Sequence, residues 1–233
     1  MNRAIEDVLG RASGLLFRPV SALRRAKAVH PYGLVFEATL AIDGAADAPP
    51  APLLSVPAEH RAIVRFSRSA GFPRPLPDVV GAAIRLPDAY GSGRHQDFLL
   101  TTSVDRPIMH HFLVPARDAQ QLSYSSLAPY RIGDELLLVG LEPRADAPRP
   151  DGADLEARLV RAAATGALTF DFSIAPMLGR FRRIGELRIG RKLPDDLNGV
   201  RFNVWNTGDG LRPATVVNAV RRKAYVESQK GWR

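Results

Sequence analysis

Apolar residues recur along the chain at two spacings, and each spacing predicts a different kind of element. Residues 3–16 place their apolar side chains on one helical face, and residues 154–164 repeat that spacing up to Gly166, which ends the helix. Residues 32–42 and 134–142 are short apolar runs bounded by glycine or proline, which is typical of strands. The pattern therefore predicts helices near the N-terminus and in the interior of the chain, with strands between them.

Further short β-rich runs are bounded by proline, glycine and aspartate. They cover residues 61–67, 81–86, 97–102, 167–175 and 184–189. Many short strands with few helices favour an antiparallel barrel or sandwich with helical additions. A parallel sheet would need a regular alternation of strands and helices, which the chain lacks. We therefore predict a mainly β (α+β) fold.

The loops and the two ends complete this prediction. Residues 44–52 and 203–213 are rich in residues that favour turns, so we expect loops there. Residues 1–26 are predicted to form an N-terminal helix or arm, and residues 214–233 to carry a basic C-terminal helix. The sequence thus predicts a single domain over residues 1–233, with N-terminal, internal and C-terminal helices.

The composition excludes several kinds of chemistry. The chain has 233 residues, 45% of them hydrophobic, which is enough for one well-filled core. It contains no cysteine, which excludes disulfides, thiolate nucleophiles and iron–sulfur clusters. Charged residues interrupt the N-terminal segment, and no apolar run is long enough to span a bilayer. We therefore expect a cytoplasmic protein.

The net charge of +8 has three interpretations. The simplest is solubility. A nucleic-acid partner is disfavoured because no recognition motif accompanies the basic residues. An anionic cofactor would use two or three of them. The helix over residues 3–16 is expected to dock on the domain; peripheral contact with a membrane is the alternative, which its polar face of mixed sign disfavours.

The five histidines do not form an obvious metal site. On a strand, His110 and His111 would point to opposite faces, so we interpret them as structural or surface residues. His60 and His95 are expected in exposed polar loops. The sequence also lacks phosphate-binding, dinucleotide-binding and serine-hydrolase motifs.

Four segments, in one order along the chain, resemble a known family. They are Lys27-Ala-Val-His30 with Phe36-Glu-Ala-Thr39, Val64-Arg65-Phe66-Ser67 with the stretch to Asp97–Ser103, Ile184–Ile189, and Phe202 to Tyr225. The last contains Asn203, Asn206, Gly210 and Pro213 and ends in Arg221-x-x-x-Tyr225. Together these segments, covering roughly residues 20–233, resemble the catalase superfamily, and in particular its small bacterial members. The resemblance implies a catalase-like β-barrel that binds haem b.

The resemblance also assigns roles to residues on the proximal side and at the haem edge. Tyr225 would be the ligand of the haem iron, a role that tyrosine is known to take. Arg221 lies one helical turn earlier, from which its guanidinium would stabilise the phenolate. Arg65 and Lys27 occupy positions at which catalases bind the haem propionates.

On the distal side, His30 would move a proton between the two peroxide oxygens. Ser67 stands where the family's serine orients that histidine. Thr101 or Thr102 replaces the family's distal asparagine, and a hydroxyl differs from an amide in reach and donor geometry.

These departures make rapid dismutation of hydrogen peroxide a weaker expectation than haem binding. We expect a haem-dependent peroxidase or an enzyme that converts organic hydroperoxides. The alternatives are a haem-binding sensor or carrier without turnover, and a haem-free scaffold or ligand binder. A phosphodiesterase is disfavoured because the sequence has no metal-ligand cluster. Catalases are usually oligomers, which is the basis for expecting a homo-oligomer.

Overall fold

A computed structural model describes residues 33–44, 49–69, 76–194 and 200–214. The expected segment 1–26 lies outside the described residues, and so does the segment 214–233 apart from Ala214.

Eight antiparallel strands close into a barrel. They pair in the order β7-β5-β4-β3-β2-β1-β9-β8, and β8 pairs back onto β7 to complete the ring. The strands are β1 (Gly33–Ile42), β2 (Ala58–Arg68), β3 (Val80–Leu86), β4 (Gln96–Ser103), β5 (Ser123–Ser125), β7 (Glu135–Pro143), β8 (Thr169–Pro176) and β9 (Arg182–Lys192). Because the ring is closed, none of these eight strands presents a full unpaired edge along the barrel.

Two short strands extend the sheet beyond the ring. β6 (Tyr130–Ile132) pairs with β7, and β10 (Leu211–Pro213) pairs with β6. The described helices are α1 (Pro52–Ser55) and α2 (Leu155–Ala164). The side chain of Asp154 caps α2 by accepting a hydrogen bond from the Ala157 amide at 2.9 Å.

The barrel interior is packed with aromatic and branched side chains. The Phe66 ring lies 6.1 Å from that of Phe36, 6.2 Å from that of Tyr124 and 6.0 Å from that of Phe170, measured between centroids. Interior residues alternate along β2 and β3 with residues that face outward. The inward face is therefore the core. Of the site candidates predicted from the sequence, Arg65, Ser67 and Thr101 face outward and Thr102 faces inward.

The strands and the internal helix predicted from the sequence are present. Each predicted strand overlaps an observed one, and the helix predicted over residues 154–164 is α2. The prediction of a loop over residues 203–213 was wrong at its end, because Leu211–Pro213 pairs with β6. The prediction for His60 was also wrong: it lies in β2 opposite Leu40, and burial lowers its pKa.

A buried ion pair attaches residues 201–206 to the barrel. The Arg85 guanidinium donates to both carboxylate oxygens of Asp97, at 2.8 and 2.7 Å, and to the Arg201 carbonyl at 2.6 Å. The Asp97 carboxylate also accepts from the Asn203 amide and from the Asn206 side chain, each at 2.8 Å. We call this set the Asp97 clamp; it joins β3 and β4 to a segment more than a hundred residues later in the chain.

We expect Asp97→Ala to lower the free energy of unfolding by about 3 to 5 kcal/mol, because it leaves the Arg85 charge largely buried without its carboxylate. Denaturant unfolding followed by circular dichroism measures this. Asp146→Ala is the matched control, since Asp146 pairs with Arg144 on the surface, and it should change the transition midpoint little. Equal losses in the two variants would contradict the role given to the clamp.

Candidate functional site

Four of the eight residues assigned by the resemblance lie in the described part of the chain. Arg65 and Ser67 belong to β2, and Thr101 and Thr102 belong to β4. The other four, Lys27, His30, Arg221 and Tyr225, lie outside the described residues.

Strand register brings Ser67 and Thr101 into one line across the outside of the barrel. Gly33 on β1 pairs with Ser67, Ser67 pairs with Gly81 on β3, and Gly81 pairs with Thr101. Directly paired residues of an antiparallel sheet share a face, so all four lie on the same side. We call them the outer row. Two strand spacings separate Ser67 from Thr101, or about 10 Å.

The outer row combines two hydroxyls with two residues that have no side chain. Gly81 lies between Ser67 and Thr101, so the backbone there is not covered by a side chain of its own. Ser67 is 7% exposed and Thr101 9% exposed. Hydrogen bonds made by hydroxyls in such a poorly hydrated position are stronger than the same bonds in water.

Thr101 and Thr102 differ in the face they occupy and in the hydrogen bonds of their hydroxyls. Thr102 faces the opposite side from the outer row; its hydroxyl accepts from the Val80 amide at 3.1 Å and donates to the Val114 carbonyl at 2.7 Å. Among the described residues, the Thr101 hydroxyl makes only one long contact, of 3.4 Å to the Val80 carbonyl. Thr101 is therefore the threonine that shares a face with Ser67, and Thr102 joins β3 and β4 to the loop that follows β4.

Arg65 adds positive charge to the same face. It precedes Ser67 by two residues on β2, so both side chains leave the strand on the same side. A Cβ atom added to Gly33 would lie 2.7 Å from Cζ and from Nη2 of Arg65. The guanidinium thus extends over the backbone of Gly33, and a larger residue at position 33 would displace it.

The glycines of the outer row are the feature whose role sequence analysis missed. The signal was available, because a glycine inside a strand often marks a place where another group approaches the backbone closely. Gly33 opens β1 and Gly81 is the second residue of β3. Only strand register reveals that both align with Ser67.

His110 and His111 are structural, although the reason first given for this was wrong. They lie in a 3-10 turn and not on a strand. Their Nε2 atoms both lie 2.9 Å from the Met177 carbonyl oxygen. Burial lowers the pKa of His110. Across the described ranges, no group of three or more His, Cys, Asp or Glu side chains could hold a metal ion.

Glu142 is the described carboxyl with the clearest shift toward the neutral form. Burial raises its pKa to about 7, with smaller contributions from the charges of Asp105 and Asp171. Its Oε1 atom is buried and has no hydrogen-bond partner among the residues that the structure describes. In the strand register, Glu142 on β7 lies opposite Asp171 on β8, away from the outer row.

Comparison with known proteins identifies no relative. No protein-family model and no curated protein matches the chain. Among the helices that the structure describes, none has the length and apolar character needed to cross a membrane.

We expect Thr102→Val to lower the free energy of unfolding by about 1 to 3 kcal/mol, because the Val80 amide loses a buried acceptor. Thr101→Val should cost under about 1 kcal/mol, since it loses only one long hydrogen bond. Thermal or denaturant unfolding of the two isosteric variants provides the comparison. A larger loss in Thr101→Val would reverse the roles given to the two threonines.

We expect Glu142→Gln to stabilise the protein at pH 8 by about 1 to 3 kcal/mol relative to its effect at pH 4. The folded pKa of about 7 lies above the ordinary value of 4.5. Ionisation of Glu142 therefore lowers wild-type stability as the pH rises from about 4.5 to about 7. Unfolding measured across this range, with Glu135→Gln as an exposed control, tests the sign. A stabilisation independent of pH would contradict it.

Proposed function

We propose that this chain is a catalase-like haem protein that converts hydrogen peroxide or an organic hydroperoxide. In this proposal Tyr225 is the ligand of the iron of haem b, and His30 lies on the distal side. The observation that carries the proposal is the outer row: Ser67 and Thr101, matched to the family from separate motifs, share one face with a glycine between them. Chance matches in unrelated strands would have no reason to align in this way.

The Asp97 clamp gives independent support. Arg85 and Asp97 come from one matched part of the sequence, and Phe202, Asn203 and Asn206 come from another. The Arg85 guanidinium lies 5.2 Å from the centre of the Phe202 ring, and the Asp97 carboxylate binds both asparagines. Two motifs that resemble the same family therefore contact each other, as parts of one conserved arrangement would.

The charge of the described residues supports a haem site. Arg65 presents a guanidinium on the face of the outer row, and a guanidinium pairs well with a propionate carboxylate. Gly81 carries no side chain between Ser67 and Thr101, and a glycine inside a strand often marks a place where another group approaches closely. In the sequence, Gly33 of this row follows the proposed distal His30 by three residues.

Bound haem would supply an iron centre that activates the peroxide O–O bond. The chain would supply the proton transfer: His30 takes a proton from one peroxide oxygen and delivers it to the other. Ser67 would accept or donate a hydrogen bond that fixes the orientation of the His30 ring. The Thr101 hydroxyl would hydrogen-bond the peroxide, and Arg221 would hold Tyr225 in its ionised form.

We favour peroxidase or hydroperoxide turnover over rapid dismutation. A threonine hydroxyl is shorter than an asparagine amide and offers one donor where the amide offers two. Thr101 would therefore hold a small peroxide less firmly. A substrate with an organic group would instead gain from contact with apolar surface beside the outer row, such as half-buried Leu99, which lies two residues before Thr101 on β4 and faces the same side.

We expect the purified protein to bind added haemin with near one-to-one stoichiometry and to give a sharp Soret band with a high-spin, tyrosinate-type charge-transfer band. Tyr225→Phe should abolish that charge-transfer band and weaken haemin binding, because the anionic ligand is lost. Tyr90→Phe is the control, since the Tyr90 hydroxyl bonds Gln96 at 2.7 Å and has no part in the site. Visible absorption during haemin titration is the measurement.

His30→Ala separates turnover from binding in the same assay. Haemin binding should persist while peroxide consumption falls by about 100-fold or more, the usual contribution of general acid–base catalysis. His95→Ala, a loop histidine that accepts from the Asp88 amide, should leave both unchanged. A spectrum equal to the sum of free haemin and protein would favour a haem-free scaffold. Haem binding without any peroxide reactivity would favour a sensor or carrier.

A further inference from the structure

Two loops that are hydrogen-bonded to each other expose three large apolar side chains. One loop follows β4 and contributes Ile108, 58% exposed, and Met109, 43% exposed; the other follows β8 and contributes Leu178, 63% exposed. Isolated exposed apolar residues are ordinary, but a cluster drawn from separate loops is not. We call these three residues the apolar tip.

Hydrogen bonds hold the two loops together. The His110 and His111 Nε2 atoms both bond the Met177 carbonyl at 2.9 Å, directly before Leu178. The Phe181 amide donates to the Asp105 carboxylate at 3.0 Å, which ties the loops a second time. The apolar tip is thus a fixed surface feature and not the accidental meeting of two loose loops.

The backbone at Ile108 is held in a costly conformation. Its φ of 70° and ψ of −44° are rare for any residue with a side chain and rarer for a β-branched one. The His111 amide donates to the Ile108 carbonyl at 3.1 Å, and the His110 amide donates to the Arg106 carbonyl at 3.2 Å, so the turn around Ile108 is closed. Strain of this kind persists where the surroundings enforce it, and it is concentrated at functional positions.

Exposed arginines flank the apolar tip. Arg106 precedes Ile108 by two residues, and Arg180 follows Leu178 by two residues; both are exposed. Exposed Asp134 and Glu135 lie in the turn that opens β7, whose Leu137 pairs with Pro176 at the end of β8. The arginines, in contrast, belong to the same loops as the apolar side chains.

We propose that the apolar tip docks the protein on the surface of an anionic lipid bilayer. Large apolar side chains flanked by arginines match the bilayer interface, where the apolar groups enter the headgroup boundary and the arginines meet lipid phosphates. A second copy of the chain fits less well, because each copy carries a net charge of +8 and brings its own arginines. Three side chains also cover far less than the roughly 800 Å² per partner of a stable dimer.

Flotation of the full-length protein with lipid vesicles tests this proposal, and it does not depend on haem. We expect binding to vesicles containing about 30 mol% phosphatidylserine, little binding to pure phosphatidylcholine vesicles, and release at about 0.5 M NaCl. Ile108→Ser combined with Leu178→Ser should reduce the bound fraction at least fivefold. Arg106→Gln combined with Arg180→Gln should reduce binding to anionic vesicles by a similar factor.

Val160→Ser combined with Arg161→Gln is the matched control, because it removes one exposed apolar residue and one exposed arginine from α2. α2 precedes the start of β8, whereas Leu178 follows the end of β8, about 25 Å away. This variant should bind vesicles like the wild type, and circular dichroism should show that all variants fold. Absence of vesicle binding, or equal binding by the tip and control variants, would overturn the proposal. The proposal would also be overturned if the protein were a dimer in solution and only the tip variants dissociated it, because the apolar tip would then join two copies of the chain.

Discussion

A buried carboxylate needs several hydrogen-bond donors at once, and in this protein Asp97 obtains them from two separate parts of the chain. Arg85 supplies a bidentate pair from the neighbouring strand, and Asn203 and Asn206 supply donors from a much later segment. Removing an ionised carboxylate from water costs several kcal/mol unless such partners are present. The path of residues 200–214 across the barrel therefore depends on this one group.

The clamp also determines where the chain leaves the described barrel. After Asn206, the Thr207 hydroxyl donates to the Leu211 carbonyl at 2.6 Å, β10 pairs with β6, and the Ala214 amide bonds the Pro129 carbonyl at 2.9 Å. Each contact fixes the next few residues. Tyr225 lies eleven positions beyond this anchored point. In the proposed haem protein, the position of the iron ligand Tyr225 would thus depend on the Asp97 carboxylate, which lies more than a hundred residues earlier in the sequence.

The longer elements were predictable from sequence because each carries its own pattern. β2 and β9 have eleven residues each, and α2 has an aspartate cap and a terminating glycine. β5, β6 and β10 have three residues each, too few to reveal an alternation. The 3-10 turn that holds His110 and His111 could not be predicted, because the carbonyl that both rings contact belongs to Met177, which is distant in sequence. Local sequence patterns also could not predict the order of the strands around the ring, because that order depends on pairing between distant segments.

The strands that carry the outer row also carry core residues. Along each strand, successive side chains point alternately outward and inward. On β4, Leu100 points inward and Thr101 outward, while on β2 Phe66 points inward and Ser67 outward. Inserting or deleting a single residue within either strand would exchange the faces of every residue beyond it. Homologous chains that keep both surfaces must therefore keep the lengths of these strands. Their natural variation in length should fall in the connections, such as the long one between β4 and β5, where new sequence can accumulate without disturbing either face.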